Sequence, residues 1–223
     1  MAQEAKAVEP PCTGLRADAE RNRERVLAAA REVFAERGLD VPMEDIARRA
    51  GVGVATLYRR FPSRTELIAS AFGDKMSAYA DAVADALAEP DPWLAFSGYV
   101  ETVCAMQAAD RGFTDVLTRS FPMDRSFQES RDRAHAGFVQ LIDRAKAAGR
   151  LRVDFVAEDL ILVLMANAGV VTAAGDAAPE AWRRVVAYLL EAFAVPNATP
   201  LPDPPTPAQA YRALLRTRRT QRV

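Results

Sequence analysis

The chain has 223 residues, of which 50% are hydrophobic and 26% are charged, with a net charge of −1. These proportions are typical of a soluble globular protein and allow one large domain or two small ones. Glycine is sparse at 11 residues, and no long stretch alternates Val, Ile or Thr with polar residues. The composition therefore favours an all-α fold over a β-sandwich or barrel. The two cysteines are too few for a disulfide framework.

The sequence shows no recognisable targeting or membrane signal. The first residues, MAQEAKAVEPP, lack the apolar segment of a signal peptide. The longest apolar run, Leu160 to Ala174, has 15 residues, contains Asn167 and Thr172 and is short for a membrane span. We therefore expect a cytoplasmic protein without a membrane partner.

Charge is distributed unevenly along the chain. Residues 16–64 hold 11 arginines and 8 acidic residues, whereas residues 65–204 hold 12 basic and 20 acidic residues. The last 19 residues hold five arginines and no acid. A basic block beside an acidic middle favours two functional parts, the first suited to a polyanion. We divide the chain into a flexible leader (1–15), a DNA-binding domain (16–64), a ligand-binding and dimerisation domain (65–196) and a Pro/Arg-rich tail (197–223).

Three helices are predicted in the basic block. The first runs from Asp18 to Arg37, where apolar residues recur at helical spacing, and Gly38 ends it. The second covers Met43–Ala50, with proline at its start and two acids in its first turn. After the three-residue break Gly51-Val52-Gly53, the third covers Val54–Phe61 and is stopped by the next proline.

A capping box, in which Ser63 and Glu66 satisfy each other's free N–H groups, begins a long helix that runs to about Glu89. The sequence predicts five more helices, over Pro92–Ala108, Arg111–Ser120, Asp124–Ala148, Val156–Ala174 and Pro179–Val195. This makes nine helices, and Ala208–Arg218 in the tail has a helix-forming composition. Because the start of the tail is rich in proline, we expect it not to pack as regular structure, and we expect the tail to be dispensable for the fold.

The second and third helices form a helix-turn-helix. Ala47 is small enough for the third helix to cross closely over it, and Val52 fills the turn. Leu57 and Phe61, four residues apart, anchor the third helix to the core. The segment from Asp45 to Ile68, DIARRAGVGVATLYRRFPSRTELI, resembles the signature of the TetR family of bacterial transcriptional regulators.

The resemblance covers about residues 17–70, and beyond them only the number and length of the helices agree. Two positions depart from the family pattern. Val41 stands where a polar residue commonly caps the second helix, and Gly53 stands where serine is frequent after Gly-Val. Both departures remove side chains that could touch DNA.

The resemblance makes Val54–Phe61 the recognition helix, whose N-terminal residues lie against base edges in the major groove. Its first residues carry no hydrogen-bonding side chain and offer only methyl contacts to thymine, so hydrogen-bonded reading falls to the threonine and the two arginines. The tyrosine, by family position, and the arginine that starts the next helix are expected on phosphates. The assigned residues are Val54, Ala55, Thr56, Tyr58, Arg59, Arg60 and Arg64.

Aromatic and sulfur side chains are concentrated in the central helices. They resemble the lining of the family's small-molecule cavity, with one histidine and one asparagine as polar orienting groups, although ordinary core packing would produce the same pattern. The candidate residues are Trp93, Phe96, Tyr99, Met106, Phe113, Phe121, Phe127, Phe138, Met165, His135 and Asn167. The ligand expected there is a small hydrophobic or amphipathic molecule.

The last two long helices carry more apolar surface than one chain can cover. The run Leu160–Ala174 is apolar on nearly every side, and the final helix has an apolar stripe. A four-helix interface between two chains covers this surface and matches the family's homodimer. The candidate interface residues are Leu164, Val171, Trp182, Val186, Leu189 and Phe193.

The sequence therefore predicts a homodimeric DNA-binding regulator, released from a palindromic operator by a ligand. A DNA-coating or scaffold protein with the same head is the alternative, and an activator stays open. One histidine, no Cys/His cluster, no glycine-rich phosphate loop and no GxSxG motif argue against an enzyme, a metal site or a cofactor. The acids Asp154, Glu158 and Asp159 have the spacing of a cation site but equally that of a helix start.

Overall fold

A computed structural model describes residues 12–118, 125–196 and 199–216. Within these ranges it contains ten α-helices, and the predicted all-α fold is confirmed. A 3-10 turn, Gly175–Ala177, follows the eighth helix. The helices are α1 (Cys12–Arg37), α2 (Met43–Ala50), α3 (Val54–Arg60), α4 (Arg64–Ala88), α5 (Pro92–Ala109), α6 (Arg111–Thr118), α7 (Arg125–Ala147), α8 (Asp159–Ala174), α9 (Ala181–Phe193) and α10 (Pro207–Arg216).

Most helix ends lie within two residues of the prediction, because local signals specify them. Gly38 has φ of +77° and its N–H donates to Phe34 O at 2.9 Å, which ends α1. Gly51 ends α2 in the same left-handed region, with φ of +66°. Two starts differ more. The first helix begins at Cys12 rather than at residue 18, and α8 begins at Asp159, whose carboxylate accepts from the Val156 N–H at 2.9 Å.

The predicted capping box at α4 forms in part. The Ser63 hydroxyl accepts from the Glu66 N–H at 3.1 Å. The Glu66 carboxylate accepts from the Ser63 hydroxyl at 3.4 Å, rather than from the Ser63 N–H as predicted. Asp91 caps α5 more completely, because one of its carboxylate oxygens accepts from the N–H groups of Trp93 and Leu94 at 2.8 and 2.9 Å.

The body is built around α5, which packs against α4, α6, α7, α8 and α9. Its Phe96 stacks on Phe138 of α7, with ring centroids 5.9 Å apart. Phe155, before α8, meets both Phe96 and Phe193 of α9 in edge-to-face contacts, at 5.2 and 4.9 Å. These rings join four segments of the body into one core.

The N-terminal head, α1 to α3, is fastened to the body through α1, α4 and α6. Phe72 of α4 lies between Phe34 of α1 and Phe113 of α6, with centroid distances of 6.1 and 6.3 Å. The carboxylate of Asp115 in α6 accepts from the N–H of Leu39, just beyond α1, at 3.3 Å. The sixth helix therefore touches the head directly through Asp115 and indirectly through the ring of Phe72.

The C-terminal tail packs on the body, and its proline-rich start has no regular structure, as predicted. Residues 199–206 have no regular structure but are held by hydrogen bonds from Arg152 and to Asp154. The helix α10 follows, and its Ala210 is buried. Proline limits regular structure but not an extended segment whose backbone bonds to side chains.

Candidate DNA-binding surface and ligand cavity

The helix-turn-helix is held together as predicted from its residue types. Ala47 and Leu57 are buried at the crossing of α2 and α3, and Phe61 closes the end of α3. The Val52 N–H donates to Ala47 O at 3.0 Å, which fixes the turn. Pro42 is the N-cap of α2 rather than its first residue and makes no side-chain capping bond. The packing leaves the opposite side of α3 exposed.

Five of the seven residues assigned to DNA are exposed on α3. They are Val54, Ala55, Tyr58, Arg59 and Arg60. Thr56 is half-buried, and Gly53 caps the helix by accepting from the N–H groups of Thr56 and Leu57 at 2.9 and 3.1 Å. Arg64 is half-buried, and its Nη1 donates to Leu39 O at 3.3 Å. The exposed face is therefore that of a recognition helix, while its contacts with bases and phosphates stay a prediction.

A basic groove lies between α1 and α3. It has a volume of about 560 Å³ and is lined by Arg21, Arg25, Arg59 and Arg60, together with Asp18, Ala19 and Asn22. Arg60 Nη2 donates to Ala19 O at 3.1 Å, so this arginine also ties α3 to α1. Sequence reasoning missed Arg21 and Arg25, although their spacing of four residues places them on one helix face.

A cavity of about 280 Å³ lies in the body, between α4, α6, α7, α8 and α10. Its apolar lining is Leu117, Phe138, Ala157, Leu160, Ile161, Leu164, Pro207 and Ala210. Four polar side chains complete the wall: Tyr79, Arg131, His135 and Glu158. Burial raises the pKa of Tyr79 and of its neighbour Tyr99, so both phenols are neutral hydrogen-bonding groups. The cavity suits a ligand with an apolar body and a few polar atoms.

Only two of the eleven candidate ligand residues line this cavity, His135 and Phe138. Five others fill the core (Phe96, Tyr99, Phe113, Phe127 and Asn167), and Trp93 and Met106 are half-buried. Met165 lines a separate groove between α1, α6 and α8, and Phe121 lies outside the described residues. Leu164, assigned to the dimer interface, lines the cavity instead. The aromatic pattern thus marked the core rather than the void within it.

A buried amide pair links α5 to α8. Asn167 Nδ2 donates to Cys104 O at 3.1 Å and to Gln107 Oε1 at 2.9 Å. The pair is fully buried and leaves Asn167 Oδ1 and Gln107 Nε2 without a hydrogen-bond partner. Burial also raises the pKa of the Cys104 thiol, to about 12, which keeps it protonated. The predicted polar role of Asn167 is therefore one of helix pairing rather than of cavity lining.

The predicted interface residues divide between the core and the surface. Leu164, Trp182, Val186 and Phe193 are buried within the single chain, and Val171 and Leu189 are half-buried. The outer face of α8 carries exposed Leu162, Ala166, Gly169 and Ala173. The apolar stretch Asp159–Ala177 reaches 19 residues and by length and composition alone passes for a membrane span, so the sequence argument from length was too strong. Only 22% of that stretch is buried in the single chain.

Comparisons with known proteins agree with this geometry. The sequence model described as "Bacterial regulatory proteins, tetR family" matches residues 26–71, and that of the "Transcriptional regulator SbtR-like, C-terminal domain" matches residues 91–191. A TetR transcription regulatory protein of known structure from Mycobacterium vanbaalenii is 32% identical. The match covers 81% of this chain and 99% of that one, with a TM-score of 0.46.

Two further relatives show how far the likeness reaches. An HTH-type transcriptional regulator of Staphylococcus aureus is 38% identical over 81 residues, which are 35% of this chain, and the match spans 42% of the length of that relative. The fold is shared with the transcriptional regulator FadR of Bacillus subtilis, solved in complex with stearoyl-CoA. It is 17% identical, with a TM-score of 0.57 and coverage of 75% of this chain and 97% of that one.

The exposed recognition helix on a helix-turn-helix, joined to a helical body, defines a DNA-binding transcriptional regulator. The two family models, at residues 26–71 and 91–191, together cover most of the chain. This chain belongs to the TetR family of transcriptional regulators.

Proposed function

We propose that the chain is a ligand-responsive repressor that binds a palindromic operator as a homodimer and is released by a small molecule. The observation that carries this proposal is the position of α6, which touches both parts of the molecule. Leu117 of α6 lines the body cavity, while Asp115 of the same helix accepts a hydrogen bond from Leu39 in the head at 3.3 Å. A ligand that displaces α6 therefore acts on the head directly.

The proposed coupling is a shift between two conformations. A ligand that fits the cavity only when α6 is displaced favours the conformer whose heads are wrongly spaced for DNA. Phe113, one turn from Leu117, packs against Phe72 of α4, the helix that follows the helix-turn-helix. The heads thus move with α4 and α6 together.

The proposed ligand is a compact amphipathic molecule. A volume of about 280 Å³ lies at the small end of ligand pockets, which favours a ring-sized molecule over a long acyl chain of the kind bound in the Bacillus subtilis regulator. Arg131 and Glu158 place opposite charges on a wall that is otherwise apolar except for Tyr79 and His135. Polar atoms at one end of the ligand would meet these groups.

The proposed homodimer uses the outer faces of α8 and α9. Leu162 is 47% exposed and Tyr188 is 58% exposed in the single chain. Small residues, Ala166, Gly169 and Ala173, follow Leu162 at helical spacing and allow a second helix to approach closely. A partner chain covering these faces would bury the apolar surface that one chain leaves in water.

A selection of binding sites from random duplexes, followed by footprinting, tests the proposed function. We expect protection confined to one near-palindrome whose half-sites face the same side of the duplex, about one helical turn apart or a multiple of it. Broad protection without a preferred sequence would instead indicate a DNA-coating protein. A panel of compact aromatic and alicyclic compounds, added to the operator complex, should contain members that release the DNA. A panel that changes neither operator affinity nor Trp93 or Trp182 fluorescence contradicts the ligand-sensing half.

A further inference from the structure

The C-terminal helix α10 lies beyond both family models, the second of which ends at residue 191. Its start is nonetheless specified locally. The Thr206 hydroxyl accepts from the Gln209 N–H at 3.3 Å, and the Thr206 N–H donates to Gln209 Oε1 at 2.8 Å. Pro207 occupies the first helical position between them, where a missing N–H costs nothing. The local sequence therefore specifies where α10 begins.

Residues 199–201 attach the start of this segment to the body. Arg152, which is 7% exposed, donates through Nη2 to Thr199 O at 2.8 Å and through Nη1 to Ala192 O at 3.2 Å. Asp154 Oδ2 accepts from the Leu201 N–H at 3.1 Å. The hydrogen bonds from Arg152, and then that from Leu201, hold the pKa of Asp154 well below its usual range. A charged pair therefore anchors the segment that leads to α10.

One face of α10 closes the body cavity. Ala210 is 3% exposed and lines the cavity together with Pro207, whereas Ala208 is exposed on the outer side of the same helix. The other walls come from the body, through Phe138 of α7 and Leu160 and Leu164 of α8. Without α10 these apolar side chains would line an open groove.

We propose that α10 is a ligand-contacting wall of this cavity and that Ala210 sets its depth. The ligand is then held between α10, α7 and α8, and its occupancy holds α10 on the body. This inference rests on the proposed ligand-binding function and adds to it the element that limits ligand size. A larger side chain at position 210 fills the space that a compact amphipathic molecule would take.

The first test uses the full-length protein and the fluorescent dye 8-anilinonaphthalene-1-sulfonate as a compact amphipathic probe. Ala210→Leu places three extra carbon atoms in the cavity, and Ala208→Leu, on the outer face of α10, is the matched control. We expect saturable binding by the wild type and by Ala208→Leu, with equal affinity. The affinity of Ala210→Leu should be weaker by roughly tenfold or more, because the wall and the probe would overlap.

The second test can be read from the wild type alone and therefore does not depend on how a variant folds. Arg212 is exposed on α10, and trypsin cleavage after it, followed by mass spectrometry, reports how often α10 leaves the body. Saturating dye should slow this cleavage severalfold in the wild type and leave it nearly unchanged in Ala210→Leu.

Three results overturn the inference: no saturable dye binding by the wild type, equal dye affinity for both leucine variants, or cleavage after Arg212 that is indifferent to dye. None of these readouts involves DNA. A chain that recognises its operator and is released by ligands, but fails these tests, keeps the proposed function and loses only the role of α10. A chain that passes these tests but recognises no operator keeps the role of α10 in binding a ligand and loses the proposed repressor function.

Discussion

At the scale of single residues, the recognition helix limits how this protein can read DNA. Gly53, Val54 and Ala55 offer no polar side-chain atom, and Thr56 is half-buried at the start of α3. Arg60 already bonds to α1 through Ala19 O at 3.1 Å. Among the residues assigned to bases, Arg59 is therefore the long polar side chain best placed to reach a guanine edge.

The first prediction concerns Arg59 and Arg64. Arg59→Ala should cost about 1–3 kcal/mol on the specific site and relax preference at one base pair per half-site. Arg64→Ala, by loss of a phosphate contact, should weaken all sequences about equally and make the salt dependence shallower by roughly two units for a dimer. Tyr58→Phe should also lower affinity uniformly. Binding-site selection across a salt series measures these effects. Unchanged base preference in Arg59→Ala would assign this arginine to the backbone and specificity to methyl contacts or DNA shape.

At the scale of elements, the crossing of α4 and α7 in the body depends on a glycine. A Cβ atom added at Gly137 of α7 would lie 2.7 Å from both γ-carbons of Val83 on α4. Val83 is itself buried, so it has little room to move. Gly98 of α5 is also helical, but nothing lies within 4 Å of an added Cβ. Comparing alanine substitutions at Gly137 and Gly98 therefore separates the effect of the helix crossing from the effect of helix propensity.

We predict that Gly137→Ala lowers the free energy of unfolding by about 1–3 kcal/mol through overpacking. Gly98→Ala should instead raise it by about 0.5–1 kcal/mol, because alanine favours a helix. Val83→Ala combined with Gly137→Ala should be less destabilising than the sum of the two single changes, since Val83→Ala removes the γ-carbons that the new Cβ at position 137 would meet. Urea denaturation measures the wild type and all four variants. Strict additivity in this cycle would show that the helices do not cross at these residues.

The sequence predicted helices better than it predicted the cavity, for a physical reason. Helix ends depend on neighbours within a few residues, such as Gly38 or the Ser63 cap, and these signals can be read directly. A cavity depends on which side chains fail to meet after helices cross, so Phe96 and Phe113 looked like ligand contacts but fill the core. The start of α10 was predicted to within one residue, at Ala208, but its capping box was missed, although Thr206 and Gln209 have capping-box spacing.

At the scale of the whole molecule, one apolar helix leaves much of its surface outside the core of the single chain. The stretch Asp159–Ala177 is as apolar as a membrane span, yet only 22% of it is buried within the single chain. Leu164 and Asn167 point into the body, while Leu162 on the same helix is 47% exposed. The sequence places a predicted interface on the last two long helices, and this stays a prediction, but it could not tell which face of each helix the body would cover.

The last prediction tests the proposed interface by placing a charge on the exposed face of α8. Leu162→Asp should leave the fold intact, because the side chain is already exposed in one chain, but should place an unpaired charge in the dimer interface at a cost of about 3–5 kcal/mol. Sedimentation should then show a folded monomer with weak operator binding, since two half-sites need two heads. Leu94→Asp on α5, where leucine is 58% exposed, is the matched control and should stay dimeric. Phe193→Asp should unfold the body rather than separate two folded chains, because Phe193 is 8% exposed and meets Phe155 at 4.9 Å. A dimer that survives Leu162→Asp would place the interface on another face.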